Sequence, residues 1–105
     1  MSKSATVTVL YPRESNATFD LDYYLSTHMP LVYKHWNKFG LKTYKVTKFN
    51  DDAPYTYGVA MDWGSADGFG KALQQDDSTK EIMDDIENFS SVKPVIAAGK
   101  VVGTG

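Results

Sequence analysis

Alternating apolar and polar positions predict the strands of this chain. Over Ala5–Tyr11, bulky side chains alternate with threonine and leucine, which is the pattern of a half-buried strand. The same reasoning predicts a second strand over Lys42–Phe49 and a third over Tyr55–Trp63. A fourth strand is predicted over Val92–Val102, with an irregular or edge position at Pro94 because proline cannot donate to a ladder.

Apolar residues in steps of three and four predict a long helix between the first two strands. It runs from about Asp20 to Lys38 and ends at Gly40. Pro30 lies inside it and should leave the carbonyl of Ser26 free and kink the helix. The predicted apolar stripe consists of Leu21, Leu25, His28, Val32, His35 and Phe39.

Two shorter helical segments are predicted between the third and fourth strands. Ser65 caps the first, which extends through about Gln75. Ser78-Thr79-Lys80-Glu81 has the form of a capping box and should open the second. The inward side chains are Phe69, Ala72 and Leu73 in the first segment, and Ile82, Met83, Ile86 and Phe89 in the second.

The resulting order, β-α-β-β-α-β, predicts an α+β fold of the ferredoxin-like kind. A four-stranded antiparallel sheet then carries both helical regions on one face. The face toward the helices is predicted to hold Val7, Val9, Tyr11, Tyr57, Val59 and Met61. The opposite face is either solvated or packed against a second copy, and it is predicted to hold Thr6, Thr8, Gly58, Ala60 and Ala98. With 105 residues, the chain is predicted to form one domain over 1–105, ordered over about 4–102.

The composition of the chain mainly excludes classes of function and of chemical site. The net charge is −2 and no basic block occurs, so nucleic-acid binding has no electrostatic basis. The chain contains no cysteine, which rules out disulfides and a thiol nucleophile. The first residues lead straight into a strand pattern without a long apolar run, so neither a signal peptide nor a membrane span is predicted and a cytoplasmic location is expected.

His28 and His35 are the first candidates for chemistry, because both fall on the predicted apolar stripe of the long helix. His28 is either a core histidine with satisfied ring nitrogens or a general acid/base in a pocket between helix and sheet. The same alternatives apply to His35. Seven residues of helix rise about 10.5 Å, which is too far for both rings to share a zinc ion. We therefore predict no metal site and no cofactor.

Aromatic residues are the second candidate feature. Tyr11, Tyr57 and Trp63 share one predicted sheet face, and Tyr24 flanks the helix stripe. They either pack the core or form the wall of a pocket for a flat apolar ligand, with the phenol hydroxyls as polar contacts. Asp62 on the third strand either orients a ligand or is the solvated end of that strand.

Several segments of the chain carry a family resemblance. The longest reads Phe19-Asp20-x-Asp22-Tyr23-Tyr24-x-x-x-His28-Met29-Pro30-Leu31-Val32. The others are Trp63-Gly64-Ser65 leading to Phe69, Asp84-Asp85-Ile86-x-Asn88-Phe89, and Lys93-Pro94. Together they resemble the ethyl tert-butyl ether degradation (EthD) family over nearly the whole chain.

The resemblance implies ferredoxin-like subunits that pair through their sheets into a dimeric α+β barrel, each with a small-molecule pocket. It carries the family histidine onto His28. Family members and relatives are associated with the oxidative degradation of ethers and with decarboxylation, dehydration, cyclisation and lactone rearrangement. Oxidoreductase, isomerase, lyase and cyclase activities are therefore all open.

Three functions follow from the residues and the resemblance. The first is a cofactor-independent enzyme in which His28 performs acid/base catalysis on a small apolar or aromatic metabolite in a catabolic or oxidative degradation pathway. The second is a non-catalytic accessory or ligand-binding module for a partner oxidase, and the third is a homodimeric domain with a collapsed pocket. For the first two, the predicted substrate-binding residues are Tyr11, Tyr24, His35, Tyr57 and Trp63.

Overall fold

The computed structural model describes residues 4–74 and 76–105, and its elements follow the predicted β-α-β-β-α-β order. The strands are β1 (Ala5–Pro12), β2 (Leu41–Lys48), β3 (Tyr55–Trp63) and β4 (Val95–Lys100). They form an antiparallel sheet in the order β2-β3-β1-β4. This arrangement confirms the ferredoxin-like α+β fold.

The first helical region changes geometry along its length. Asp20 caps its start, because the Asp20 side chain accepts a hydrogen bond from the backbone N–H of Tyr23 at 3.1 Å. Gly40 ends the region with a φ of 118°, which glycine adopts readily. The four consecutive segments are α1 (Leu21–Tyr23), a π-helical turn (Tyr24–His28), α2 (Met29–Trp36) and a 3-10 turn (Asn37–Phe39).

Pro30 is the physical reason for the wide turn. A proline has no backbone N–H, and its ring clashes with the carbonyl four residues earlier, so a regular α-helical ladder is interrupted there. The N–H of Met29 bonds to the carbonyl of Tyr24, five residues earlier, which is the π-helical pattern. The predicted disturbance at Pro30 is therefore present as one extra residue in the turn before it.

The extra residue shifts the buried face of the helical region. Tyr24, His28, Val32 and Trp36 are buried, whereas Leu25 is 47% exposed. The predicted stripe was therefore wrong at Leu25, and it was also wrong to give Trp36 no place on the buried face.

The second helical region consists of α3 (Gly68–Leu73), α4 (Asp76–Asp85) and a 3-10 turn (Ile86–Asn88). The predicted end at Gln75 lies outside the described residues. Leu73 is 47% exposed, so its predicted inward position was wrong. The capping box was also wrong, because α4 begins before Ser78 and the Glu81 carboxylate contacts His35 instead.

The sheet register defines the two faces of the sheet. Directly paired residues share a face, and the buried set that packs against the helices includes Val7, Tyr11, Val59 and Met61. Ala98 pairs with Val7, so it faces the helices and its predicted place on the opposite face was wrong.

On the opposite face, the described residues provide no covering helix. Thr8, at its centre, pairs with Ala60 on one side and with Ala97 on the other. Leu10 and Phe49 pack closely over Gly58, where an added Cβ would lie 2.9 Å from each side chain. Within residues 4–74 and 76–105, no helix has the length and apolar character needed to cross a membrane.

Candidate functional site

His28 lies in the core at the end of the π-helical turn, and Asp85 at the end of α4 is its polar partner. His28 is 4% exposed, and its Nδ1 lies 2.9 Å from Oδ2 of Asp85. The Asp85 side chain is 12% exposed. The two helical regions are thus joined by a nearly buried imidazole–carboxylate pair.

Asp85 accepts two further hydrogen bonds. The Tyr23 hydroxyl donates to Oδ1 at 2.6 Å, and the Asn88 amide donates to the same oxygen at 2.9 Å. Burial alone would raise the pKa of Asp85, but the hydrogen bonds from Tyr23, Asn88 and His28 outweigh burial and lower it. The hydrogen bond from Tyr23 to Asp85 raises the pKa of the Tyr23 phenol. Asp85 is therefore a carboxylate at neutral pH.

Burial determines the charge state of His28. Removal from water lowers the pKa of the imidazole, and the contact with Asp85 offsets this only in part. At neutral pH the ring is therefore neutral and carries a single N–H. Because a carboxylate faces Nδ1, we assign the proton to Nδ1, which leaves a lone pair on Nε2. Among the described residues, no side chain or backbone group hydrogen-bonds Nε2.

Aromatic rings fix the plane of the imidazole. The Tyr24 ring stacks on it with centroids 5.5 Å apart and planes inclined by 16°. Phe89 contacts it with centroids 4.5 Å apart and planes inclined by 54°. Tyr11 meets Tyr24 edge-on at 5.9 Å. Burial raises the pKa of both phenols, so both are neutral hydrogen-bond donors at ordinary pH.

A cavity lies between the helical regions and the sheet, and His28 forms part of its wall. Tyr11 and Tyr24 also line it, together with aliphatic side chains and three methionines, Met29, Met61 and Met83. Polar atoms make up only a small part of the wall surface. Of the lining residues, Val9, Met83 and Ile86 are half-buried and Ile96 is exposed, so we place the open end of the cavity beside these four.

The other three predicted substrate-binding residues are not among those that line the cavity. Tyr57 stacks on Phe19 with centroids 4.4 Å apart. Trp63 is buried, and its Nε1 lacks a hydrogen-bond partner within the described part of the chain. His35 is partly exposed, with Nε2 3.0 Å from Oε2 of Glu81. A role for these residues in binding stays a prediction.

Asp62 lies on the uncovered face of the sheet, away from His28. It is exposed and accepts a hydrogen bond from the Thr43 hydroxyl at 2.9 Å. The structure therefore gives Asp62 the position of a solvated strand residue. Across residues 4–74 and 76–105, no three histidine, cysteine or acidic side chains converge as a metal site would require.

Reasoning from single residues overlooked Asp85, although a signal was present. Asp85 follows Ile82 by three residues and precedes Phe89 by four, so it shares a helical face with two inward side chains. A carboxylate at such a position needs a partner when it is buried.

No protein-family model and no curated protein matches this chain. Among solved structures, an EthD-like protein from Ralstonia eutropha JMP134 is 29% identical over 100% of this chain and 97% of its own, with a TM-score of 0.83. The chain is similar to EthD-like proteins in sequence and in fold. The resemblance seen in its sequence is thereby confirmed.

Two further structures share the fold of this chain. An EthD family protein from Bacillus halodurans C-125 is 20% identical, with 94% and 99% of the two chains covered and a TM-score of 0.70. SnoaB, a cofactor-independent oxygenase from Streptomyces nogalater, is 12% identical, with 99% and 97% covered and a TM-score of 0.61.

Proposed function

We propose that this EthD-like protein is a cofactor-independent enzyme of a catabolic or oxidative pathway, in which His28 is the acid/base catalyst. The observation that carries the proposal is the buried His28–Asp85 pair beside an apolar cavity. SnoaB, a cofactor-independent oxygenase of the same fold, supports the proposal by analogy. The substrate class is a small apolar or aromatic carbonyl compound.

The proposed reaction begins with proton transfer to His28. Nε2 accepts a proton from the carbon beside the substrate carbonyl, while Nδ1–H continues to donate its hydrogen bond to Asp85 and the carboxylate stabilises the imidazolium. The Tyr24 or Tyr11 phenol donates a hydrogen bond to the enolate oxygen that forms. The imidazolium then returns the proton to the product, so the enzyme ends in its starting state.

The first experiment is a ligand screen followed by a proton-exchange assay. Thermal shift identifies ligands among aromatic ketones, lactones, small ethers and the carbonyl products of ether cleavage, because a ligand of the native state raises the melting temperature. Carbonyl ligands are then incubated with the protein in D2O under nitrogen, and NMR follows the loss of the proton beside the carbonyl. We expect the protein to accelerate this exchange.

His28→Ala should slow the exchange by about 10²–10⁴-fold, which is the usual contribution of a placed acid/base group. Thr27→Ala is the matched control, because Thr27 precedes His28 in the same helical turn, is exposed and is not among the residues that line the cavity. Full exchange in a folded His28→Ala variant would refute the catalytic role. Ligand binding without exchange, retained in His28→Gln, would instead indicate a binding or accessory module for a partner oxidase.

We also propose that the uncovered sheet face packs against a second copy. Its centre carries small side chains at Thr8, Ala60 and Ala97, which allow close approach. Thr8→Arg should convert a dimer to a monomer in light scattering, whereas Thr27→Arg, on the exposed side of the π-helical turn, should not. A wild-type monomer would refute this part of the proposal.

A cytoplasmic location also belongs to the proposal and can be checked by cell fractionation.

A further inference from the structure

Nε2 of His28 is a free polar atom in the wall of the cavity. His28 is 4% exposed, and among the described residues nothing donates a hydrogen bond to Nε2. In that part of the chain, Nε1 of Trp63 is the side-chain atom that is both sealed from water and without a partner. Nε2 is therefore not sealed, and it borders space that a water-sized sphere enters. His28 thus presents an open lone pair to the cavity.

The phenols beside the imidazole supply hydrogen-bond donors. The Tyr24 ring stacks on the imidazole with centroids 5.5 Å apart. Burial raises the pKa of both Tyr11 and Tyr24, and each pKa also responds to the other hydroxyl, so the two hydroxyls are neighbours. Even a hydrogen bond between them uses only one of their two O–H groups, which leaves a donor for a guest. A buried water makes about three hydrogen bonds, and an acceptor nitrogen, a free O–H and phenol lone pairs suit it.

The wall carries no ordinary side-chain nucleophile beside this base. An Asp–His pair with an open Nε2 commonly activates a serine, threonine or cysteine side chain. None of these residue types occurs among the described residues that line the cavity, and the whole chain has no cysteine. The raised pKa of the buried Tyr11 and Tyr24 phenols keeps them protonated and unsuited to attack. A water on Nε2 of His28 is thus the nucleophile that the geometry provides.

We propose that the protein also hydrolyses small carboxylic esters, with a water molecule bound to Nε2 of His28 as the nucleophile. The acyl group of the ester is apolar, because most of the wall surface consists of carbon and sulfur atoms. This activity rests on the proposed function for the role of His28 as a base. It differs from that function in the reacting atom, because the proton comes from water and not from a carbon of the substrate.

Hydrolysis at this site takes two proton transfers. Nε2 takes a proton from the water while the water oxygen bonds to the ester carbonyl carbon, and Asp85 stabilises the imidazolium that forms. A phenol O–H of Tyr11 or Tyr24 donates to the carbonyl oxygen as that oxygen gains negative charge. The bond between the carbonyl carbon and the alcohol oxygen then breaks, and the imidazolium gives its proton to the alcohol oxygen. The products are one carboxylic acid and one alcohol, and His28 is neutral again.

The test measures the hydrolysis of p-nitrophenyl butyrate by the full chain, followed as release of p-nitrophenol above the rate in buffer. We expect saturable turnover, and His28→Ala should lower kcat/KM by about 10²–10⁴-fold. Thr27→Ala should leave kcat/KM unchanged, because Thr27 is exposed and is not among the residues that line the cavity. His28→Gln serves if His28→Ala does not fold, because a glutamine amide can donate to Asp85 but is not a base.

Three outcomes would overturn the ester proposal. One is a wild-type rate no higher than that in buffer, and another is full activity in a folded His28 variant. The third is an acyl adduct of the protein in intact-mass spectrometry during turnover, because a protein group and not water would then be the nucleophile. Proton exchange beside a carbonyl tests the proposed function separately. Exchange without hydrolysis overturns only the ester proposal, and hydrolysis without exchange overturns only the proton transfer from carbon.

Discussion

Replacing Asp85 with asparagine should disable His28 without removing it. Asp85 accepts hydrogen bonds from His28, Tyr23 and Asn88. Asparagine keeps one acceptor oxygen and presents an NH2 donor in place of the other. Tyr23 and Asn88 both donate to Oδ1, so the asparagine oxygen takes that position and accepts their hydrogen bonds. The asparagine NH2 then faces Nδ1 of His28. The imidazole then accepts at Nδ1 and carries its proton on Nε2.

Asp85→Asn should lower the rate of proton exchange strongly and the free energy of unfolding moderately. A base whose Nε2 is protonated cannot accept a proton, and the equivalent change in a serine protease triad lowers turnover about 10⁴-fold. We expect proton exchange to fall about 10³–10⁴-fold. Hydrogen bonds to charged groups contribute about 1.5–3 kcal/mol each. Because neutral bonds replace charged ones here, the free energy of unfolding should fall by about 1–3 kcal/mol.

Asp84→Asn is the matched control, one residue earlier in α4. Asp84 is exposed and pairs with Lys80 at 3.0 Å across one turn, and such surface pairs contribute little to stability. Long-range ¹H–¹⁵N spectra of the imidazole identify the protonated nitrogen, and urea titration gives the stability. The reasoning is refuted if Asp85→Asn keeps the proton on Nδ1 and exchanges at the wild-type rate. It is also refuted if Asp84→Asn changes the His28 tautomer.

The remaining predictions concern pH, the Tyr23 contact and two glycines of α3. The pKa of His28 is lowered in the folded state, so the unfolded chain binds a proton at a higher pH than the folded protein does. The free energy of unfolding, measured by urea titration, should therefore decrease as the pH drops below about 6.5. His28→Gln should make this decrease smaller. Tyr23→Phe removes a donor to Asp85, so ¹³C titration should show a higher pKa for Asp85 than in wild type. Gly68→Ala should destabilise the protein strongly, because a Cβ there collides with the backbone carbonyl of Phe39. Gly70→Ala has open space around the new Cβ and should stabilise the protein by about 0.5–1 kcal/mol. Equal effects of the two substitutions in calorimetry would contradict this packing.

The strands were predictable because their pattern is local. In β3 the predicted and observed bounds are the same, Tyr55–Trp63. The π-helical turn was only half predictable. Pro30 indicates where the helical ladder breaks, but whether the chain kinks or inserts a residue depends on what packs beneath it. His35 follows Val32 by three residues and Trp36 follows it by four, so both spacings suit one helical face and the pattern alone did not choose the residue that is buried.

The two histidines show why the site needed tertiary structure. Each meets a carboxylate near α4 at almost the same distance, 2.9 Å for His28 and Asp85 and 3.0 Å for His35 and Glu81. The pairs differ in burial, because the Glu81 side chain is 58% exposed and that of Asp85 is 12% exposed. An exposed pair is screened by water and can rearrange. A buried pair holds one tautomer and keeps its second nitrogen for a ligand, so burial, which no residue spacing specifies, distinguishes the candidate base from its neighbour.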